Sequence, residues 1–195
     1  MPKRPEDYMA DRRERILDAV DRCCWEKGWN QTTLRDVAKA AGLSKGGVYV
    51  HFPTKTELLR GMLQRNLEHL DRLGTAPDLP TFVRWSLNNL DFVAGPGGRE
   101  RAISLGELQM DGLRAPELRP LIEKVTGHAV HMLETTVRRL CPRLTDEEVQ
   151  DRALSILCFL EGLRNYAAIA ERISLEQLQR IVTRELTALL DCGVD

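Results

Sequence analysis

Residues 33–58 combine two short helical patterns with side chains that could bind nucleic acid. They read TLRDVAKAAGLSKGGVYVHFPTKTEL. The patterns meet at Gly42, which can take the left-handed conformation that a tight turn requires. Ser44 predicts the N-cap of the second pattern, whose first turn would then meet base edges in a major groove. This arrangement is typical of a helix-turn-helix and predicts double-stranded DNA as a partner.

The candidate DNA contacts divide into base-reading and phosphate-binding groups. Lys45 can donate to guanine or phosphate, and Val50 either touches a thymine methyl or lies in the core. Gly46 and Gly47, each costing a helix about 1 kcal/mol relative to Ala, either allow close approach to DNA or pack on the first helix. The phosphate candidates follow from hydroxyl, imidazole and ammonium groups near helix ends. The full set is Thr33, Ser44, Lys45, Gly46, Gly47, Tyr49, Val50, His51 and Lys55.

Helical patterns cover the rest of the chain, and the predicted fold class is all-α. An N-terminal three-helix head with the helix-turn-helix spans residues 1–53, and a larger effector-binding and dimerisation body spans 54–195. A helix over 54–73 connects them, opened by the capping box Thr54-x-x-Glu57. Further helices are predicted over these ranges: 9–27, 34–41, 44–51, 80–93, 99–113, 116–140, 145–170 and 174–190.

Composition restricts the function classes without choosing one. The net charge is −1, but residues 1–60 carry twelve Lys and Arg against nine Asp and Glu, which fits a local DNA contact. The five cysteines form no C-x-x-C and no disulfide spacing, so reduced thiols in a cytoplasmic protein are expected. No apolar run approaches the ~20 residues of a spanning helix, and no membrane partner is expected.

The segment ILDAVDRCCWEKGWNQTTLRDVAKAAGLSKGGVYVHFPTKTELL resembles the DNA-binding head of TetR-family transcriptional regulators. The matching positions are Ala19, Gly28, Thr33, Ala38, Gly42, Ser44, Gly47, Tyr49, Phe52, Lys55 and Leu58. The resemblance implies a homodimer that binds a palindromic operator, usually as a repressor, and that a small molecule releases. The chain departs from the family pattern at Cys24, where Trp25 or Trp29 would compensate for the smaller core residue.

The last two predicted helices are candidates for a dimer interface. The run ALSILCFL, at 153–160, is apolar on almost every side and therefore predicts one face against its own domain and another against a partner. The next helix has a single apolar stripe, and together the two could supply half of a four-helix interface, unless they form only an internal core. The predicted interface residues are Leu160, Gly162, Leu175, Leu178, Val182, Leu186 and Leu189.

A small-molecule pocket is expected where the body helices of such a fold converge. Its mixture of apolar and few polar groups is typical of effector sites, although each residue could equally fill an ordinary core. The candidates are Phe82, Trp85, Asn89, Met110, His128, Met132 and Phe159.

Enzyme and metal functions have little support in the residues. His128, His131 and Glu134 are three apart, but a closed metal site needs ligands from more than one helix. No nucleophile elbow or phosphate loop occurs, so neither catalysis nor a cofactor is predicted. The leading hypothesis is a ligand-responsive repressor. The alternatives are a DNA-binding regulator without an effector and, last, a helical enzyme or metal-binding protein.

Overall fold

The computed structural model describes residues 5–94, 96–169 and 173–191, apart from the side chains of 5–7 and 92. Over these residues the chain forms α-helices and two short 3-10 helices and no strand, which confirms the all-α class. The helices are α1 (Pro5–Lys27), α2 (Leu34–Ala41), α3 (Lys45–Tyr49), α4 (Lys55–Leu73), α5 (Leu79–Asn88), α6 (Gly98–Arg114), α7 (Arg119–Leu140), α8 (Asp146–Ile169) and α9 (Leu175–Leu189).

Side-chain caps explain where several helices begin. The hydroxyl of Ser174 accepts a hydrogen bond from the Gln177 amide at 3.0 Å, which fixes the start of α9. Thr145 and Glu148 form a reciprocal capping box before α8, in which the Thr145 amide donates to the Glu148 carboxylate at 2.8 Å. The Asp78 carboxylate caps α5 by accepting a hydrogen bond from the Thr81 amide at 2.7 Å. This last cap was not predicted, and the predicted helix begins one residue later than α5.

The predicted helices at 80–93 and 116–140 are each divided in the structure. The first ends at Asn88 and is followed by a 3-10 helix over Asp91–Val93. The second begins with a 3-10 helix over Pro116–Leu118, and α7 proper starts at Arg119. Proline at the first helical position fixes its own φ, but this φ suits both a 3-10 helix and an α-helix. Periodicity alone therefore could not predict where the 3-10 helix ends and α7 begins.

One compact unit comprises the residues up to Asn66 together with Ile103–Ile122. Its core contains fully buried side chains from α1, α2, α3 and α4, including Ile16, Val37, Val48 and Leu58. Leu108 and Leu118, far along the sequence, complete this core. The unit therefore extends beyond the predicted head of residues 1–53. Local sequence patterns could not predict this, because the added segment is distant in sequence and joins the head only by tertiary packing.

The second compact unit comprises Leu67–Ala102 and the residues from Glu123 onward. Its core is formed by α5, α7, α8 and α9, and α9 contributes the fully buried Leu178, Val182 and Leu186. No helix in the described ranges is long and apolar enough to cross a bilayer.

The cysteines differ from one another in state. Cys23 and Cys24 are buried free thiols, and Cys158 is an exposed one. Cys141 is disulfide-bonded, so the expectation that all five cysteines are reduced is wrong for this residue. Burial raises the pKa of the Cys24 thiol to about 11. Trp29, only 1% exposed, lies in the same core as Cys24, whereas Trp25 is 52% exposed and lies outside it.

Candidate nucleic-acid interface

Helix α3 presents one face to solvent and one to the core. Ser44 caps it by accepting a hydrogen bond from the Gly47 amide at 3.1 Å. Val48 is fully buried, whereas Val50 is 73% exposed. The alternative that Val50 belongs to the core is therefore wrong. Lys45 and Tyr49 are also exposed, and the Lys45 ammonium lies 5.3 Å from the centre of the Tyr49 ring. The accessible face thus offers one cation, one phenol and one methyl pair.

The glycines of α3 do not serve helix packing. A Cβ atom on Gly46 would have no neighbour within 4 Å, and one on Gly47 would meet only its own turn, at 3.3 Å from the Ser44 Oγ. Packing of these glycines on α1 is therefore wrong. Close approach occurs instead at Gly61 of α4, where a Cβ would lie 2.6 Å from Cε1 of Phe52. The sequence carried no signal for Gly61, because isolated helical glycines are common.

The turn between α2 and α3 is held from both ends. Gly42 has φ +64°, the left-handed conformation that the sequence predicted, and its amide bonds to the Lys39 carbonyl at 3.1 Å. Two arginines of α1 cap the other carbonyls: Arg15 donates to Ala41 and Arg22 donates to Ala40, each at 3.0 Å. These two arginines were not among the predicted site residues, yet they tie α1 to the turn that leads into α3.

Thr33 forms a capping box that consumes its donors. Its hydroxyl donates to the Asp36 carboxylate at 2.5 Å and its amide donates to the same oxygen at 3.0 Å. Hydrogen bonds from Lys27 and Thr33 hold the pKa of the Asp36 carboxyl well below its usual range. The Thr33 hydroxyl and amide, which were expected to bind a phosphate, thus both donate to the Asp36 carboxylate. The negative charge of this carboxylate would also repel a phosphate. In this conformation Thr33 is a cap and not a phosphate ligand.

The Lys55 ammonium is also engaged inside the fold. Its Nζ donates to the Trp29 carbonyl at 2.6 Å and to the Asn30 carbonyl at 3.3 Å, and it lies 4.4 Å from the centre of the Trp29 ring. Burial lowers the pKa of this amine. Two of its three protons are therefore spent on the turn that precedes α2. Only the third ammonium proton of Lys55 is left for a DNA phosphate. Sequence spacing could not predict this, because it does not show that the two backbone carbonyls lie within hydrogen-bond distance of the ammonium.

The same turn is fixed by α6. Glu107 accepts hydrogen bonds from the backbone amide and side-chain amide of Asn30, each at 2.9 Å. Asp111 accepts one from the indole N–H of Trp29 at 2.8 Å. These contacts span about eighty positions of sequence, at separations of 77 and 82 residues, so no local pattern indicates them. The residues leading into α2 are consequently clamped by side chains of α4 and α6.

The predicted effector residues do not form one set. Met110 is 47% exposed and belongs to the first compact unit, whereas the other six belong to the second. Phe82 lies in the core, Asn89 donates to the Trp85 carbonyl at 3.0 Å, and the His128 Nε2 lies 3.2 Å from the Asp71 carboxylate. Met132 and Phe159 are half-buried. Most of these residues therefore have an ordinary structural role: His128 is paired with a carboxylate, and the aromatic residues pack in or against the core.

The predicted interface divides into buried and exposed members. Leu178, Val182 and Leu186 are fully buried within the single chain, so their assignment to a subunit interface is wrong. Leu160 and Leu189 are half-buried, whereas Leu175 is 49% exposed and Gly162 is open. An exposed stripe runs along α8 at positions three or four apart, which places them on one face. We call it the α8 stripe, and its members are Leu154, Cys158, Gly162, Tyr166 and Ile169.

The site features define a helix-turn-helix protein with an exposed second helix. Residues 16–62 match the family model described as bacterial regulatory proteins, tetR family. The HTH-type transcriptional repressor Rv1474c of Mycobacterium tuberculosis is 32% identical over 96 residues, covering 49% of this chain and 48% of that protein. The HTH-type transcriptional regulator TtgR of Pseudomonas putida is 33% identical over 78 residues, 40% of this chain and 37% of that protein. The chain thus spans half or less of these relatives.

Solved structures extend the likeness to the whole fold. A TetR transcription regulator from Haloarcula marismortui has a TM-score of 0.71 at 18% identity and covers 95% of this chain and 100% of that one. A transcriptional regulator from Rhodococcus has a TM-score of 0.69 at 21% identity, with coverage of 94% and 99%. Residues 16–62 therefore match the DNA-binding segment of the TetR family, and the solved structures show that the rest of the chain has the same helical fold. Its relatives are named as regulators and not as enzymes.

Proposed function

We propose that the protein is a homodimeric transcriptional repressor that binds a palindromic operator and leaves it when a small molecule binds. The observation that carries DNA binding is the exposed face of α3, where a large apolar residue, Val50, is 73% exposed beside Lys45 and Tyr49. Apolar exposure at the second helix of a helix-turn-helix is expected where thymine methyl groups are read. Gly46, with open space around it, leaves the backbone free to approach DNA.

Dimerisation rests on the α8 stripe. Leu154, Tyr166 and Ile169 are 55%, 57% and 75% exposed, although the opposite face of α8 already fills the core. Exposed apolar side chains along one helix face favour a second copy of the chain. Gly162 lies in the same stripe with no neighbour within 4 Å of a Cβ, which would let two helices approach closely.

A palindromic site follows from two-fold symmetry. Two heads related by a dimer axis read two inverted half-sites about one helical turn apart. We would select duplexes from random-sequence DNA with the full chain and then measure affinity for the whole site and for one half-site. A palindrome with much weaker half-site binding is expected. Recovery of no enriched sequence, or of a single unrepeated half-site, contradicts the proposal.

The proposed small-molecule effector distinguishes this function from that of a regulator that binds DNA without one. A regulator without an effector is the second candidate, favoured by the partnered His128 and the core position of Phe82. The two are separated by a ligand found in a thermal-shift screen and titrated with and without the selected duplex. Release of DNA requires that the duplex weaken ligand binding by the same factor by which the ligand weakens DNA binding. Equal ligand affinity in both titrations excludes allosteric release by that compound.

A further inference from the structure

A second exposed apolar stripe lies on α6, in the part of that helix that belongs to the first compact unit. Ile103, Met110 and Leu113 are 42%, 47% and 56% exposed. Gly106 lies between them, and a Cβ atom on it would have no neighbour within 4 Å. These four positions are three or four residues apart, which places them on one face of the helix. We call them the α6 stripe. Scattered exposed apolar residues are ordinary, but a row of them on one helix face forms a contact surface.

The other side of α6 is packed into the head. Leu108 belongs to the same buried core as α1, α2 and α4. Glu107 and Asp111 accept hydrogen bonds from the turn before α2, at Asn30 and Trp29. A contact on the α6 stripe would therefore act on the helix-turn-helix through a single helix that is fixed to it.

The spacing of the α6 stripe is the same in both directions along the helix. Its intervals are three, four and three residues. A second α6 packed antiparallel would thus place Met110 of each copy against Gly106 of the other, and Ile103 of each against Leu113. A large side chain then faces a glycine on both sides of a two-fold axis, as a contact between identical surfaces requires.

The charges near the two ends of α6 complement each other in the same arrangement. Glu100 and Arg114 are exposed, and neither forms an ion pair within the described ranges of the chain. The helical repeat places both on the same side of the α6 stripe. In the antiparallel pair, Glu100 of one copy lies within about 3 Å, along the helix axis, of Arg114 of the other. Arg99 has its own partner, because its Nε donates to the Ala168 carbonyl at 3.1 Å.

We infer that the α6 stripe packs antiparallel on the α6 stripe of a second copy and joins the two heads directly. This contact is separate from the one proposed for the α8 stripe, and it rests on the proposed binding of a palindromic site by two copies. Because α6 also holds the turn before α2, the contact sets the separation of the two α3 helices before DNA is bound. Pre-organised heads favour the whole palindrome over one half-site.

The first test compares the affinity of the full chain for the whole duplex selected by the wild-type protein with its affinity for one half-site. Met110→Glu should lower the ratio of the two affinities about tenfold, because a carboxylate would be buried between the copies without a partner. Asn66→Glu adds the same charge at an exposed position of the same compact unit and should keep the wild-type ratio. Thermal unfolding shows whether each variant is folded. Equal weakening at both duplexes would show that Met110 acts within one head, and the inference would be wrong.

A charge reversal tests the antiparallel pairing itself, at two exposed positions that do not affect the core. Glu100→Arg should lower the affinity ratio about fivefold, since two exposed ion pairs become two repulsive contacts. Adding Arg114→Glu to the same chain should restore it. The two positions are 14 residues apart, about 21 Å along one helix, so only a second copy can bring them together.

A double variant as weak as Glu100→Arg alone would contradict the antiparallel pairing. Wild-type ratios for both Met110→Glu and Glu100→Arg overturn this inference and leave the dimer proposed for the α8 stripe unaffected. A wild-type protein that does not prefer the whole duplex overturns the proposed function as well.

Discussion

Helices α8 and α9 have similar apolar content near the carboxyl end of the chain, yet they use it differently. Helix α9 has one clean stripe, and its central members Leu178, Val182 and Leu186 are fully buried within the chain. Between residues 153 and 160 helix α8 is apolar on almost every side, and one face of α8 stays exposed although the opposite face is packed in the core. A single stripe is fully accounted for by one core. The exposed apolar face of α8 is the feature on which the proposed dimer rests.

The strongest test of this contrast is truncation within the α9 core. Leu178→Ala should lower the free energy of unfolding by about 2–5 kcal/mol, since it removes buried methyl groups and leaves a cavity. Leu175→Ala, on the same helix at 49% exposure, is the matched control and should change it by less than about 0.5 kcal/mol. Chemical denaturation of both variants at one protein concentration gives the comparison. Equal losses would mean that α9 is not buried by its own chain.

The complementary test places charge on the α8 stripe. Tyr166→Glu should dissociate the dimer, because a carboxylate would have to be buried across the two-fold axis without a partner. Asn66→Asp adds the same charge at an exposed position on α4 and should leave the dimer intact. Sedimentation at micromolar concentration measures the outcome. If the wild-type protein sediments as a monomer, the α8 stripe is not a dimer interface, and the proposed difference between α8 and α9 is wrong.

Two glycines of the head, Gly61 and Gly46, differ in the same way: the first is closely packed and the second has open space around it. Gly61→Ala should destabilise the protein by about 1–3 kcal/mol, because its new methyl group meets the Phe52 ring and the core must shift. Gly46→Ala should instead stabilise it by about 0.5–1 kcal/mol, since the site is open and Ala is the better helix former. DNA affinity should nevertheless fall for Gly46→Ala. Unchanged affinity would show that the bare backbone is not used for close approach.

Two lysines provide the smallest expected effects. Lys55→Ala should cost about 1 kcal/mol of stability by removing hydrogen bonds from a partly buried ammonium to the Trp29 and Asn30 carbonyls. Lys45→Ala, at an exposed site, should leave stability unchanged and alter the sequence preference of DNA binding. Thermal unfolding and a repeated selection from random duplexes measure the two effects. A larger loss of salt dependence for Lys55→Ala than for Lys45→Ala would restore Lys55 as a phosphate ligand.

The candidate site was only partly accessible to sequence reasoning. The turn glycine and the Ser44 cap depend on residues within three positions of each other, and they are confirmed by their hydrogen bonds. The clamp on the Trp29–Asn30 turn was missed entirely. It depends on Glu107 and Asp111, which no periodicity relates to that turn.

The sequence by itself determined the helical class, the helix-turn-helix and most helix ends, because hydrophobic periodicity and caps are local properties of the chain. Tertiary structure decided which donors remain for a ligand. The protons of Thr33 and two of those on Lys55 are consumed by partners inside the fold, whereas Lys45 stays exposed. It also decided which apolar stripe is core and which is surface. Burial depends on what packs against a face, and the same leucine pattern is compatible with a neighbouring helix of its own chain or with that of another.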